Sequence, residues 1–260
     1  MTAPTARRRR PLARAALLLT GLLVTGAAYT AVAPGASSAT APGAKDIAAG
    51  HDLFLANCAT CHGVHAEGRA NAPSLIGVGA AAVDFQVGTG RMPMQASGPQ
   101  APRGTAQFSQ AQIDQLAAYV ASLSPGPDVP SATAVDPGTG DPARGALIFR
   151  TNCAMCHNVS GKGGALTRGK YAPNLTDVNP RHAYEAMLTG PESMPVFNDQ
   201  TLDPQSKRDV LAYLDSIGNS PSPGGFSLGG LGPVSEGLLA WTLGLALLVS
   251  AAVWVGAKAS

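Results

Sequence analysis

The sequence has few charged residues, few aromatic residues and few cysteines, and these shortages limit the kinds of protein that it can encode. Only 13% of its 260 residues are charged and 5% are aromatic, whereas it contains 31 glycines and 21 prolines. A chain of this composition should contain much linker and loop. It also lacks any long stretch in which apolar and polar residues alternate, as they do in half-buried β-strands. We therefore predict an all-α fold with long loops.

The sparse charge is unevenly distributed and argues against a nucleic-acid partner. The net charge is +2, but five arginines lie within the first fourteen residues. Residues 45–215 contain twelve Lys or Arg and fifteen Asp or Glu, which gives this stretch a net charge of −3. Domains that bind nucleic acid carry a basic patch or stripe instead. The arginine block at the N-terminus is typical of the cytoplasmic flank of a membrane segment.

All four cysteines belong to two copies of one motif. The first copy is Cys-Ala-Thr-Cys-His over residues 58–62, and the second is Cys-Ala-Met-Cys-His over residues 153–157. A Cys-x-x-Cys-His run is the attachment signature of c-type haem. A redox-active dithiol or half of a zinc site would also contain Cys-x-x-Cys. Two copies, each with a trailing histidine and no spare cysteine, disfavour both alternatives.

The sequence therefore predicts two covalently bound haem c groups. The attachment residues are Cys58, Cys61, Cys153 and Cys156. The histidine that follows each pair, His62 or His157, is presented to one face of the iron as an axial ligand.

The two motifs lie within a longer internal repeat. Gly50, Phe54, Asn57 and Cys58 all recur at a constant offset of 95 residues. In each copy, apolar residues at helical spacing predict a short helix that leads into the haem motif. The chain therefore contains two similar units.

Each unit is also predicted to close with a helix. In the first unit this helix covers residues 110–123, with Ser109 as its N-cap. In the second unit it covers residues 204–217, and Gly218 is the predicted signal for its C-terminal end.

These patterns divide the chain into two haem domains between two hydrophobic ends. The predicted segments are an N-terminal signal anchor or signal peptide over 1–33, a linker over 34–44, a first domain over 45–123, a Pro-rich linker over 124–142, a second domain over 143–218, a linker over 219–233 and a transmembrane helix over 234–257. Each domain is small and has few large apolar side chains, so we expect the haem to form part of its core.

The C-terminal segment predicts a membrane helix. Residues 237–257 form an uncharged apolar run of 21 residues. Such a helix is about 31 Å long, which matches the hydrocarbon thickness of a bilayer. Trp241 and Trp254 lie near its two ends, as interfacial aromatic residues do, and Lys258 follows on what would be the cytoplasmic side. A buried core helix is the alternative, but no globular domain follows or surrounds this segment in the sequence.

The N-terminal hydrophobic segment, over residues 12–33, has two interpretations. A cleaved signal peptide would end at the small-residue sites over 31–33 or 39–41, although a proline follows each of them. An uncleaved anchor, which we favour, is long enough to span the bilayer. Either interpretation places the haem domains on the extracytoplasmic side of the plasma membrane. With the anchor retained, both termini are cytoplasmic.

A methionine in each unit is the candidate for the second axial ligand. Thioether sulfur is the usual partner of histidine where haem transfers electrons. Met92 and Met194 each precede a proline in a loop that follows a Thr-Gly pair. We assign these two methionines to the iron. Met94 competes with Met92, whereas the second unit has Phe197 and no second methionine at the corresponding place.

A proline loop between histidine and methionine also recurs. Pro73 and Pro173 lie in matching Ala-Pro-x-Leu strings. Each can direct a backbone carbonyl at the Nδ1–H of the haem histidine, which fixes the tautomer and raises the basicity of the ligand. Plain turns are the alternative.

Several polar residues near the motifs are given no role in the sites. The three remaining histidines, His51, His65 and His182, have no counterpart in the other unit and are interpreted as solvated. Arg91 either pairs with a haem propionate or is solvated.

The assembled motifs resemble those of a known family. Each unit resembles a class I cytochrome c domain, and the whole layout is similar to the dihaem cytochrome c subunit of the actinobacterial quinol:cytochrome c reductase, the cytochrome bc complex. The resemblance implies that a Rieske iron–sulfur protein, working with cytochrome b, reduces the haem held by Cys58, Cys61, His62 and Met92. The haem held by Cys153, Cys156, His157 and Met194 then reduces the terminal oxidase. Turnover belongs to the proton-translocating complex, and the isolated chain is an electron carrier.

Two other functions remain open from the sequence. One is a membrane-anchored dihaem cytochrome that serves a cbb-type oxidase or a dehydrogenase. The other is a dihaem peroxidase or haem sensor, which requires an open iron position that a methionine ligand would block.

Overall fold

The computed structural model describes residues 11–32, 43–70, 72–96, 98–219, 228 and 233–259. The predicted arginine flank over 7–10, the linker over 34–42 with both candidate cleavage points, and most of the linker over 219–233 lie outside the described residues. Within the described ranges the fold is helical, as predicted, and the only strands are β1 (Gly164–Ala165) and β2 (Tyr171–Ala172). These pair antiparallel. They are too short for an alternating pattern to reveal them.

The two haem units contain the same order of helices. The first unit has α2 (Ala44–Asn57), α3 (Ala59–His62), α4 (Gly79–Gly88) and α5 (Gln110–Leu123). The second has α6 (Pro142–Asn152), α7 (Ala154–His157), α8 (Pro180–Thr189) and α9 (Pro204–Asn219). Helix α1 (Pro11–Val32) belongs to a separate unit. Helix α10 (Pro233–Ala259) closes the chain.

The first and last helices of each unit cross at a repeated glycine. A side chain on Gly50 would overlap the backbone carbonyl oxygen of Gln115, and one on Gly145 would overlap that of Asp209. Only glycine permits this separation of two helix backbones. The crossing explains why this glycine recurs in both units.

An aromatic pair packs beside each crossing. The rings of Phe54 and Tyr119 lie 5.2 Å apart, and those of Phe149 and Tyr213 lie 5.3 Å apart. Both phenylalanines are buried, with at most 1% of their surface exposed. Tilted rings at this separation stabilise a core beyond the burial of their area. The repeated Phe therefore anchors the first helix of each unit to the last.

The predicted closing helices are present, with one correction. Ser109 caps α5 in a capping box with Gln112, and α5 ends at Leu123 as predicted. Helix α9 begins at Pro204 but continues to Asn219, so the prediction that Gly218 ends it is wrong. A side chain at Gly218 would overlap the carbonyl oxygen of Thr176. Glycine here permits close packing rather than a change of backbone direction.

Helices α4 and α8 were not predicted, and they join the two units. They occupy matching positions and pack against each other. Helix α4 is apolar on nearly every side, with Val83, Phe85 and Val87 all buried, so it shows no amphipathic period. Helix α8 begins with an Asn179 N-cap and Pro180 in its first turn. That cap is a recognisable start signal.

The Pro-rich stretch between the units lies against both of them. The Ala81 N–H donates to the carbonyl oxygen of Pro127 at 3.0 Å, which holds the start of the stretch at the N-terminus of α4. Near its end, a 3₁₀ turn (Pro137–Thr139) packs on α9. The start of the stretch is therefore bound to the first unit, and its end is bound to the second.

Both hydrophobic ends of the chain form helices. Within α10, residues Val234–Lys258 are long and apolar enough to cross a membrane, and none of that window is buried inside the protein. In α1, the described segment Ala15–Tyr29 is an apolar helix. The C-terminal helix thus supports the prediction of a transmembrane segment at that end.

Candidate haem sites

The first haem motif lines a cavity in the first unit. Helix α2 ends at Asn57, and Cys58 lies between α2 and the single turn of α3, so the motif wraps tightly at the helix end. Cys58, His62 and Met92 all line the cavity, together with Pro73. The Nδ1 of His62 lies 2.8 Å from the carbonyl oxygen of Pro73. Because a carbonyl can only accept, Nδ1 carries the proton, and Nε2 keeps its lone pair for a metal.

The second unit repeats this arrangement. Cys153, Cys156, His157 and Met194 line its cavity. The Nδ1 of His157 lies 3.0 Å from the carbonyl oxygen of Pro173. Burial lowers the pKa of His157, and the Pro173 carbonyl opposes that shift. A neutral ring whose Nδ1 is already bonded is the form that ligates iron.

None of the four motif cysteines forms a disulfide bond. Burial, with a smaller contribution from the second thiol of each motif, raises the pKa of Cys58 and of Cys153 to about 11. These two side chains therefore carry S–H groups at neutral pH. A thioether forms when an S–H group adds across a vinyl double bond, so the donor set fits covalent haem.

The structure distinguishes the two methionines of the first loop. Met92 is partly buried, packs against the core of the first unit and lines the cavity. Met94 is exposed, at 37% of its surface, and is not among the residues that line the cavity. Met194 packs against the core of the second unit in the same way as Met92 in the first.

The shared Thr-Gly pair shapes both methionine loops. Gly90 and Gly190 both have positive φ, at 66° and 58°. Gly190 is the left-handed C-cap of α8, and a side chain there would crowd the carbonyl of Met194. In the first loop, the N–H groups of Arg91 and Met92 both donate to the carbonyl of Gln86 on α4. Each methionine is therefore held by the end of the interface helix of its own unit.

Each cavity is lined in part by the other unit, which the sequence did not indicate. Residues 188–191 and Val196 of the second unit line the first cavity, and Pro191 lines both cavities. Phe85, Thr89 and Arg91 of the first unit line the second cavity. The two candidate haem sites therefore adjoin across the α4–α8 contact.

Two residues that the sequence left without a role in the sites belong to this boundary. Arg91 is buried, lies 4.8 Å above the Phe85 ring and lines the cavity of the second unit, so the solvated alternative is wrong. His182 was interpreted as solvated, but its side chain is only 17% exposed and lines the same cavity. Neither residue has a counterpart in the repeat, because each contacts the opposite unit.

Comparison with family models gives the class of protein. The model described as "Cytochrome c" matches residues 47–124, and the model described as "Cytochrome C oxidase, cbb3-type, subunit III" matches residues 140–214. Both matches contain a Cys-x-x-Cys-His motif on a helical unit. The chain is a c-type cytochrome with two cytochrome c domains.

Similarity over the whole length decides the family. The cytochrome bc1 complex cytochrome c subunit of Corynebacterium efficiens is 46% identical, and the alignment covers 96% of this chain and 90% of that protein. The subunit of the same name from Mycobacterium bovis is 42% identical, with 97% and 93% covered. This chain belongs to the family of cytochrome bc1 complex cytochrome c subunits, which confirms the resemblance drawn from its motifs.

Similarity to oxidase subunits is narrower. The cbb3-type cytochrome c oxidase subunit FixP of Sinorhizobium medicae is 28% identical, over 66% of this chain. The match of the second domain to a cbb3-type model therefore reflects a shared domain and does not extend to the layout of the whole chain.

Proposed function

We propose that this chain relays electrons through two haem c groups within a cytochrome bc complex. The observation that carries the proposal is the pair of matching cavities, each with a Cys-x-x-Cys-His motif and a methionine, that adjoin across the α4–α8 contact. When bound, haem supplies an iron that changes oxidation state by one electron. The first haem domain is placed over 45–123 and the second over 143–218.

The ligands are assigned from the cavity linings, except Cys61, which is exposed and is assigned from its motif alone. Cys58, Cys61, Cys153 and Cys156 hold the two porphyrins as thioethers. His62 and His157 would bind the irons through Nε2, since Nδ1 of each faces a proline carbonyl. Met92 and Met194 would supply the second protein ligand of each iron. Both axial positions are then filled by protein, which suits electron transfer and disfavours the peroxidase or sensor alternative.

The proline carbonyls orient the histidines. A hydrogen bond from Nδ1–H to Pro73 or Pro173 fixes the ring plane and the tautomer and increases the basicity of Nε2. A more basic histidine stabilises the oxidised iron, so these carbonyls help to set the reduction potential. The matching distances of 2.8 and 3.0 Å support the same role in both domains.

Contact between the domains supports transfer within the chain. Because each cavity includes residues of the other domain, the two haems need no diffusion to exchange an electron. Covalent linkage of donor and acceptor replaces a collision with a high effective concentration.

The partners proposed for this chain are those of its family. Cytochrome b and the Rieske iron–sulfur protein would supply electrons to the first haem, and the second haem would pass them to the terminal oxidase. The apolar helix Val234–Lys258 supports a membrane anchor that keeps the domains close to these proteins. The haem domains lie on the extracytoplasmic side, and both termini are cytoplasmic if the N-terminal segment is retained. Turnover as a quinol:cytochrome c oxidoreductase belongs to the complex.

Purification from membranes tests the proposal. An affinity-tagged chain should carry two covalent haems by mass and by haem staining, and should co-purify with cytochrome b and a Rieske protein. Co-purification with the subunits of an oxidase or dehydrogenase, without cytochrome b, would instead support the alternative carrier. Binding of carbon monoxide to one haem of the native reduced protein would favour the peroxidase or sensor.

A further inference from the structure

Two carboxyl groups are buried against each other where the domains meet. Asp84 on α4 and Glu185 on α8 have only 1% and 0% of their surface exposed. Their carboxylate oxygens and the ring nitrogen of His182 lie within 4.8 Å of one another. Carboxylates are seldom buried completely unless each is paired with a cation or a hydrogen-bond donor. The cluster therefore requires a specific explanation.

The groups around the pair supply one permanent positive charge for two carboxyls. Arg181 Nε lies 3.0 Å from Asp84 Oδ2 and 3.4 Å from Glu185 Oε1. On the side of α5, Gln110 donates to Asp84 Oδ1 at 2.9 Å and also to the exposed Asp114. His182 Nε2 lies 4.0 Å from Asp84 Oδ2, and burial lowers the pKa of His182 below its ordinary value. Farther out, Arg91 and Arg103 also act on His182 and lower its pKa.

One oxygen of each carboxyl accepts no hydrogen bond from the described residues. These atoms are Asp84 Oδ2, which contacts Arg181 and His182 without a hydrogen bond of suitable geometry, and Glu185 Oε2. Two adjacent carboxylates in a site of low dielectric cannot both ionise readily, so one proton is retained between them. Burial, and then the neighbouring Asp84, raise the pKa of Glu185 to about 9, against the opposing effect of Arg181. At neutral pH the pair thus holds one proton, with Glu185 as the neutral partner.

The pair lies at the contact of α4 and α8, and residues next to it in the sequence line the haem cavities. On α4, Val83 lines the first cavity and Phe85 lines the second, and Asp84 lies between them in sequence. On α8, Ala183 and Ala186 flank Glu185 and line the second cavity. A change of charge on the pair therefore takes place close to residues that line the cavities. Arg181, with 33% of its side chain exposed, leads from the pair to solvent.

We propose that the Asp84–Glu185 pair is a redox-linked proton site. The inference rests on the proposed function, since it requires haem in the adjoining cavities. In the alkaline range, where the oxidised protein has lost the proton of the pair, arrival of an electron from the donor at an adjacent iron makes the pair bind one proton from solvent, which enters beside Arg181 and bonds to a carboxylate oxygen. When the electron leaves for the acceptor, the proton returns to solvent. Electron and proton charges then balance within the buried interface.

The sign of the effect follows from electrostatics. An added electron makes the interface more negative, so the reduced protein holds the proton more tightly than the oxidised protein. The midpoint potential of the haems is then flat at low pH and falls as the pH rises through the titration of the pair. A tenfold difference in proton affinity between the redox states corresponds to a fall of about 59 mV for a one-electron couple.

Redox titration of the haem bands in the purified complex tests the site. In the wild type the potentials should be nearly constant around neutral pH and fall at alkaline pH, where the pair titrates. In a Glu185→Gln variant, which keeps the size and the hydrogen-bonding capacity of the side chain, they should stay nearly constant over the whole range. Asp215→Asn is the control, because it removes an equal charge from an exposed position on α9 and should leave the pH dependence unchanged. If Glu185→Gln fails to assemble, Glu185→Asp should retain the fall and move its midpoint in pH.

Three results would overturn the inference. A wild-type potential independent of pH would do so, as would a fall that persists in Glu185→Gln, since another acid such as a propionate would then be responsible. Stoichiometric zinc or another divalent cation in the purified complex, with potentials that respond to a chelator, would instead make Asp84, His182 and Glu185 a metal site. Haem content and co-purified subunits are measured separately, so failure of the proposed function would be recognised independently.

Discussion

Gly50 on α2 lies so close to the backbone carbonyl of Gln115 on α5 that no side chain fits between them. Gly145 and Asp209 repeat this relationship in the second domain. In each domain the crossing holds the helix that leads into the haem motif against the closing helix. The position of His62 therefore depends on Gly50 in the preceding helix, and that of His157 depends on Gly145.

A Gly50→Ala change should therefore destabilise the first domain. Alanine favours a helix over glycine by about 1 kcal/mol, which by itself would stabilise α2. Its methyl group must force the helices apart, and overpacking of this kind costs about 1–3 kcal/mol. Thermal unfolding of the holoprotein, followed by the haem circular dichroism, should show a lower Tm and a distorted signal of the first haem. Ala48→Ser, at an exposed position on the same helix, is the control. An unchanged Tm in Gly50→Ala would mean that the helices can separate freely.

Substitution of the methionines tests the axial ligands. Met92→Leu should remove the thioether-to-iron absorption band of one haem, because leucine has no sulfur to donate. Met94→Leu is the matched control and should leave the band intact, since Met94 is exposed and does not line the cavity. Met194→Leu should remove the band of the other haem. The reverse result for the first pair, with the band lost only in Met94→Leu, would exchange the roles of the two residues.

The repeat allowed the sequence to propose two haem sites. Cys58 and His62 lie in one short motif, which depends on local geometry: a thiol spacing and a trailing ring. Met92 lies in a later loop closed by proline, and its assignment to the iron stays a prediction. The Ser109 cap and the apolar spacing after it likewise predicted α5 correctly, because capping is a local interaction.

The contact between the domains could not be predicted in this way. Helix α4 is buried on nearly all sides by its own domain and by α8, so its sequence lacks a polar face that would indicate a helical period. Arg91 and His182 contact the opposite domain, and a search for features shared by both repeats passes over them. Residues without a counterpart in the other repeat are thus the ones that form the contact between the domains.

Arg91 should raise the reduction potential of the second haem, although it belongs to the first domain. Its guanidinium is buried and lines the second cavity, where a positive charge favours the reduced iron. Burial lowers the pKa of Arg91, but a guanidinium still stays charged at neutral pH. Arg91→Gln should therefore lower that potential, by an amount on the order of 59 mV for a tenfold change in the equilibrium. Redox titration that separates the two haems measures it.

The exposed Arg69 provides the control for this experiment. Arg69→Gln removes the same charge from the surface of the first domain, where water and salt screen it. Its effect on the second haem should be small. A larger shift at the first haem than at the second in Arg91→Gln would contradict the assignment of Arg91 to the second cavity.

The proton held by Glu185 should also make the stability of the protein depend on pH. Burial raises the pKa of Glu185 from 4.5 to about 9. Between these values the unfolded chain has lost a proton that the folded protein keeps, so the free energy of unfolding falls as the pH rises. Thermal unfolding across this window should show a declining Tm in the wild type. Glu185→Gln cannot ionise and should decline less, and its Tm at neutral pH should equal or exceed that of the wild type. Asp215→Asn, which removes an exposed carboxylate, is the control and should follow the wild-type curve. If the Tm of Glu185→Gln declines with pH as steeply as that of the wild type, Glu185 is ionised in the folded state.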